Sequence, residues 1–428
     1  MKTGTGFIVA APASGSGKTT ITLGLLRAFK RLGVQMRGAK SGPDYIDPRF
    51  HEAASGAPCF NLDAWAMTPE RIMSLARPNA PLIVEGAMGL FDGAPPDGRG
   101  SVADLARLLK LPVILVVDAA RMAHSIAPLV SGFAHYDQDV RIAGVILNKV
   151  GSERHEKILR SALGPLEIPV LGAIPRSVQI STPARHLGLV QAQERHDLEH
   201  FIEQAADIVE QSVELNALSS IAAPLQDTDF VKRTAPPAQR IAIASDRAFA
   251  FAYPHLLRDW RNAGAELTFF SPLSNDAVPE TDFVFLPGGY PELYADQLAS
   301  ADTFMSSLRK HAETKPIYGE CGGYMVLGEG LIDKKGVRHE MAGLLQLETS
   351  FAQRKLHLGY RALEADQGLF KGKWSAHEFH YATTKRAQGA PLFSAQDAEG
   401  TALPDMGLIN GHVSGSFAHI IDCACESL

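Results

Sequence analysis

Short apolar runs alternate with longer segments of helical period along the first half of the chain. "GFIVAAP" (6–12), "PLIVEGAMG" (81–89), "LPVILVVDAA" (111–120) and "IAGVILNKV" (142–150) are almost unbroken hydrophobic stretches, whereas "TTITLGLLRAFKRLG" (19–33) and "DLARLLK" (104–110) repeat their leucines at helical spacing. A strand that is apolar at consecutive positions is buried on both faces, so the pattern predicts a mostly parallel sheet with helices on either side. "IPVLGAIPR" (168–176) adds a further strand, and an amphipathic helix is expected over 197–215.

Periodicity then fails in "SSIAAPLQDTDFVKRTAPPAQ" (219–239), which collects Pro, Ser and Thr, and a second strand-and-helix series begins at "RIAIASDRAFAF" (240–251). It continues through "AELTFFSP" (265–272), "DFVFLPGGYPE" (282–292) and "KPIYGECGGYMVLG" (315–328). The expected organisation is an α/β domain over 1–215, a linker over 216–238 and a second α/β domain over 239–428, with no internal repeat.

Composition narrows the function. A chain of 428 residues exceeds one ordinary core; 46% hydrophobic and 21% charged residues describe a globular protein, without a run long enough to span a bilayer. A net charge of −6 argues against nucleic acid as a partner. Four cysteines (Cys59, Cys321, Cys423, Cys425) make no disulfide framework, and the CxC pair lacks further metal ligands nearby in sequence. The apolar start runs straight into a phosphate-loop pattern, so it is not read as a signal peptide and a cytoplasmic protein is expected.

That pattern, "APASGSGKTT" (11–20), sits between a strand and a helix, the context a phosphate loop requires. Backbone N–H groups of Gly15, Ser16, Gly17, Lys18 and Thr19 would wrap the phosphates of ATP, with Thr20 following, Lys18 reaching the terminal phosphates and Thr19 ligating Mg2+. Pro12 replaces the usual first glycine. Two acidic segments fall at expected strand ends, where open α/β sheets hold ligands: "KSGPDYIDPRFH" (40–51) and "VEGAMGLFDG" (84–93). Glu85, directly after an apolar strand, is placed to face magnesium, with Asp44 as a further candidate ligand. Asp44, Tyr45, Asp47 and Asp92 are candidates for substrate activation, although Asp in such turns also serves local structure. Asn148 with Lys149 is a candidate contact to the nucleotide base.

"YGECGGYMVLG" reads as strand, sharp turn and helix, with Cys321 at the apex. Such an elbow exposes a nucleophile, and a helix start is expected to lower its thiol pKa. Gly288 and Gly289, after another strand, together with Gly322, are candidate oxyanion donors. A thiol nucleophile needs a base, and His357, His377, His380, His412 and His419 all compete.

Taken together, "KSGPDYIDPRFH", "VEGAMGLFDG", "RHLGLV" (185–190), "PGGYPE" (287–292), "GECGGYMVLG" (319–328), "HEFHY" (377–381) and "SGSFAH" (414–419) make the whole chain resemble the cobyrinic and hydrogenobyrinic acid a,c-diamide synthases, glutamine-dependent ligases of corrinoid biosynthesis. The resemblance implies an N-terminal P-loop domain of dethiobiotin-synthetase type and a C-terminal class I glutamine amidotransferase domain. It implies that Cys321 is the glutaminase nucleophile and His419 its base. The glutamate usual two residues after that histidine is Ile421 here, so a dyad is expected, with the group orienting His419 unidentified. It further implies ATP, L-glutamine and a corrinoid acid as small-molecule substrates, and that Asp44, Tyr45, Glu85 and Asp92 lie in stretches serving the synthetase site; it leaves a homodimer open. The "SGSFAHIID" ending favours a metal-free ring. Released ammonia would have to reach the activated carboxylate without becoming ammonium in bulk water, so a shielded path is expected. Rival readings are a cobyric acid synthase, a sirohydrochlorin diamide synthase, a P-loop switch ATPase carrying an inactive amidotransferase fold, and a freestanding glutaminase.

Overall fold

The computed structural model describes residues 4–77, 80–176, 184–185, 188–189, 191–226, 228 and 233–424. Cys425 and three residues of the "RHLGLV" stretch (186, 187 and 190) lie outside the described residues; the other three take part in a two-residue ladder pairing Ala184–Arg185 with Gly188–Leu189. The chain divides into two units, Met1–Val231 and Lys232–Leu428.

In the first unit, the apolar runs become β1 (Thr5–Ala10), β2 (Arg37–Ser41), β3 (Phe60–Leu62), β4 (Leu82–Glu85), β5 (Val113–Asp118), β6 (Ile142–Val150) and β7 (Val170–Pro175). They pair in parallel in the order β3-β2-β4-β1-β5-β6-β7. Phe7, Ile8, Val9, Ile83, Val84, Ile114, Leu115, Val116, Val145, Ile146 and Leu147 are completely buried, the two-sided burial their unbroken hydrophobicity predicts. β1 is central, with the order reversing beside it, and its C-terminal end leads into the phosphate-loop sequence and α1 (Lys18–Arg31). A second helix, α2 (Asp47–Ser55), follows β2 directly.

The segment expected as linker has structure at its start. Leu215–Ile221 is helical, and Ala223–Pro224 pairs antiparallel with Thr5–Gly6 of β1, adding an eighth strand. With so short a strand, two residues cannot show a period, which is why the sequence reads as irregular there.

The second unit holds a six-stranded sheet, ordered Glu266–Phe270, Arg240–Ala244, Phe283–Leu286, Ile317–Glu320, Val413–Ser416, Leu408–Asn410; only the last pairing is antiparallel. It is joined by a five-stranded antiparallel sheet whose adjacent members include His357–Ala365, Gly372–His380 and Ala418–Cys423, and by a four-stranded mixed sheet. These two extra sheets are absent from the sequence expectation of a simple strand-and-helix series. No described helix is long and apolar enough to cross a membrane.

Candidate functional site

At the C-terminal end of β1, Gly15 and Gly17 adopt φ of +80° and +91°, the left-handed region where glycine carries no steric penalty. Gly17 is also a close approach: a Cβ there would lie 2.2 Å from Asn148 Nδ2. That amide donates to Ser16 O at 2.8 Å, so Asn148 clamps the loop. Lys149 Nζ reaches Asp118 Oδ2 at 2.6 Å and Gly15 O at 3.2 Å, binding the same loop to β5.

Lys18 Nζ donates to Met88 O at 2.6 Å, and burial, followed by repulsion from Lys40, lowers its pKa to about 8. Thr19 Oγ1 donates to Glu85 Oε1 at 2.6 Å and approaches Asp47 Oδ2 at 3.4 Å. Lys40, a residue the sequence reading did not single out, sits between the same carboxylates, its Nζ 2.6 Å from Asp47 Oδ2 and 2.7 Å from Glu85 Oε1. Burial opposes its charge, but Asp47 and Glu85 outweigh that and hold it well above the ordinary lysine range. Burial and the neighbouring Asp44 push Asp47 up to about 7. Glu85 is fully buried yet depressed, because Lys40 and His51 overcome its desolvation. His51, also missed, contacts Glu85 Oε2 through Nε2 at 2.6 Å and Cys59 Sγ through Nδ1 at 3.5 Å. These two residues open and close the quoted stretch 40–51; a lysine near the end of β2 and a histidine one helical turn into α2 were the available signals.

Other candidates in this region are engaged locally. Asp44 Oδ1 accepts the N–H groups of Ile46 and Asp47 at 2.8 and 2.9 Å, the turn role that Asp plays before a helix, and it is Asp47 rather than Asp44 that approaches Thr19. Asp92 Oδ2 accepts the Gly89 N–H at 2.8 Å. Thr20 is buried in the first turn of α1, and Tyr45 is half-buried beside Asp44 in sequence. Thr19, Glu85 and Asp47 thus present converging oxygen atoms, the donor set that suits Mg2+.

In the second unit, Cys321 follows the central strand with φ +44° and ψ −100°, a conformation that costs a non-glycine residue about 1–3 kcal/mol and persists only where the surroundings enforce it. Its N–H donates to Ser416 O at 2.8 Å, tying the apex to the neighbouring strand. A Cβ at Gly322 would fall 3.0 Å from Gly289 N, so the elbow and the Gly288–Gly289 turn lie backbone against backbone. That brings together the three glycines picked as oxyanion donors.

His419 is fully buried above Gly288: a Cβ on that glycine would sit 2.2 Å from His419 Cε1. Burial, then the nearby His377 and His380, lower its pKa to about 3. The expected lowering of the Cys321 thiol is reversed. Burial raises it strongly, Glu292 adds to this, and the Gly322 N–H offsets only part, so the thiol is neutral at rest.

The competing histidines separate clearly. His412 is exposed, its carbonyl paired with Ile317 N at the start of the central strand, the end away from the elbow. His377 lies directly across from His419 in the strand register, and His380 bonds Glu378 Oε1 at 2.9 Å while stacking on His357. Glu378 also pairs with Arg361 at 2.7 Å. Phe379 O lies 4.0 Å from Cys321 Sγ, so "HEFHY" walls the thiol. Glu320, immediately before Cys321, places Oε2 3.7 Å from His419 Nδ1 while Oε1 accepts the Ile420 N–H at 3.0 Å.

Residues 7–190 match the CobQ/CobB/MinD/ParA nucleotide binding domain, and residues 240–423 the CobB/CobQ-like glutamine amidotransferase domain. Among curated proteins, the chain is 56% identical to a hydrogenobyrinate a,c-diamide synthase of Brucella anthropi, covering 98% of this chain and 99% of that one. It is 53% identical to the protein of the same name from Rhizobium meliloti (97% and 99% covered) and 50% identical to that from Mesorhizobium japonicum (97% and 98% covered).

Proposed function

The chain belongs to the hydrogenobyrinate a,c-diamide synthase family, and from that premise we propose that it amidates the a and c acetate carboxylates of hydrogenobyrinic acid, consuming ATP and glutamine. The carrying observation is that one chain holds both halves of the chemistry: Lys18 and Thr19 beside Glu85, and a strained Cys321 with His419 over Gly288. The metal-free ring follows the relatives' names. Supply of ATP and glutamine fits a cytoplasmic reaction.

A carboxylate resists amidation because its oxygen is a poor leaving group. In the first unit the substrate oxygen attacks the γ-phosphorus of ATP, ADP departs, and an acyl phosphate results. Lys18 and the loop N–H groups offset the charge on the transferring group. Magnesium would be held by Thr19, Glu85 and Asp47 and supplies further neutralisation of phosphate charge. Lys40 and His51 hold Glu85 ionised and aimed at Thr19.

In the second unit, the Cys321 thiol gives its proton to His419 while sulfur bonds to the side-chain carbon of glutamine. The N–H groups of Gly289 and Gly322 receive the oxyanion. His419 passes the proton to the departing nitrogen, ammonia leaves, and water hydrolyses the thioester to glutamate and free thiol. Ammonia attacks the acyl phosphate, releasing phosphate and forming the amide; a second round gives the diamide.

The test is incubation with ATP, Mg2+, glutamine and hydrogenobyrinic acid, following substrate by mass spectrometry. Two successive exchanges of hydroxyl for amino are expected, with one glutamate and one ADP per amide. ATP hydrolysis without glutamine consumption would instead mark a switch ATPase, and turnover of cobyrinic acid alone would move the substrate to the cobalt-containing ring.

A further inference from the structure

Class I amidotransferases orient the catalytic histidine with an acid two residues further along its own strand, and here that place is taken by the fully buried Ile421. A histidine base without an orienting acceptor can adopt either tautomer and swing about its χ angles. Some other group near the ring must take over.

We propose that Glu320 is the positioning residue for His419, so that the acid comes from the residue before the nucleophile rather than from the histidine's own strand. Its two oxygens divide the work. Oε1 accepts the N–H of Ile420, the residue next to His419, at 3.0 Å, which fixes the backbone carrying the imidazole. Oε2 stands 3.7 Å from Nδ1, and such contacts shorten to hydrogen bonds when a catalytic site closes on its substrate. With Nδ1–H directed at Glu320, the lone pair is on Nε2, the tautomer needed to take the proton from the Cys321 thiol.

The topology makes this possible. Glu320 ends the central strand in register with Ser416, whose carbonyl holds the Cys321 N–H, and three residues later the chain reaches His419. Glu320 and Cys321 are therefore both tied to the segment that carries His419, Cys321 through its N–H to Ser416 O and Glu320 through its carboxyl to the Ile420 N–H. Glu378, a buried acid on the strand that faces His419, does not compete: it is committed to His380 at 2.9 Å and to Arg361 at 2.7 Å. Glu320 is 3% exposed, and among the described residues its ion-pair contact is the one to His419.

The proposal rests on the reading of Cys321 and His419 as a glutaminase pair, and the experiment separates the two. Glutamine-dependent and ammonia-dependent amidation are measured on the full-length wild type, Cys321→Ala, Glu320→Ala, Glu320→Gln and Glu320→Asp. Cys321→Ala losing all glutamine use while keeping ammonia use upholds the glutaminase pair. Glu320→Ala is then expected to lower the glutamine-dependent kcat by about 10²-fold, with KM for glutamine nearly constant and the ammonia reaction unchanged. Glu320→Gln, whose amide oxygen can still accept from Nδ1–H, should recover most of the loss, while Glu320→Asp, one methylene short, should not. An unchanged kcat in Glu320→Ala, a loss confined to KM, or equal loss in the ammonia reaction overturns the proposal. If Glu320→Ala does not fold, Gln against Asp decides: equal kcat in the two overturns it. Retention of glutamine use by Cys321→Ala would instead sink the underlying glutaminase reading.

Discussion

Gly288 and His419 are a matched pair: the space that any side chain at 288 would occupy is filled by the imidazole, whose Cε1 stands 2.2 Å from the position of an added Cβ. The turn proposed to offer oxyanion N–H groups is thus also the floor on which the proposed base rests. Gly288→Ala must displace the ring, and a shift of about 1 Å in a catalytic group costs on the order of 10²-fold in rate. Glutamine-dependent turnover should fall by about that factor while ammonia-dependent turnover holds; equal retention of both would show that the ring adjusts freely.

Cys321→Ala removes the proposed nucleophile but keeps the strain at φ +44°, since alanine has the same difficulty there. Cys321→Gly should therefore raise the thermal midpoint relative to Cys321→Ala, by an amount reflecting about 1 kcal/mol. Calorimetry of the two variants checks this. A lower midpoint for the glycine variant would mean that the elbow is not strained.

Asn148 holds the phosphate loop through a single 2.8 Å bond to Ser16 O. Asn148→Ala leaves that carbonyl without its partner, at a cost of about 1–3 kcal/mol, and should raise the KM for ATP by roughly tenfold or more with little change in glutaminase activity. Gly17→Ala, which combines a left-handed φ with a 2.2 Å clash against the same amide, should abolish ATP binding measured by titration calorimetry.

Lys40 neutralises two buried carboxylates, so Lys40→Met strands charge in the interior and should destabilise the first unit by about 3–5 kcal/mol in denaturant unfolding. Adding Glu85→Gln to that variant should return part of the loss, because the stranded charge is then gone. Additive losses in the double variant would contradict the ion-pair account.

Glu320 gives a pH signature. Burial raises its pKa from 4.5 to about 8, while the Ile420 N–H pulls it down by less. A raised acid binds its proton more tightly in the folded state, so its stabilising effect is whole below 4.5 and is lost as pH rises through about 8. Glu320→Gln does not titrate. Its midpoint minus that of the wild type should therefore climb across that interval and level off above it. A flat difference would mean that Glu320 is ionised when folded.

The two α/β series could be read in advance because two-sided burial writes itself as consecutive apolar residues, as at Val113–Val117. The phosphate loop and the elbow were equally legible, since each needs glycine at particular backbone angles. The antiparallel sheets of the second unit were not. Strands such as Thr383–Gln388 are largely exposed, with no apolar alternation to mark them. Lys40 and His51 were hidden for another reason: a buried charge looks like a surface charge until its partners, here from β4 and α2, are folded around it.

The sequence by itself determined which backbone could bend where and which chemical groups the chain carries: a phosphate loop, a thiol at an elbow, histidines near the end. Only the tertiary structure seated His419 over Gly288 and set Glu320 beside it. Partners a hundred positions apart in the chain meet because parallel pairing aligns the ends of neighbouring strands, a relationship with no signature in local residue order.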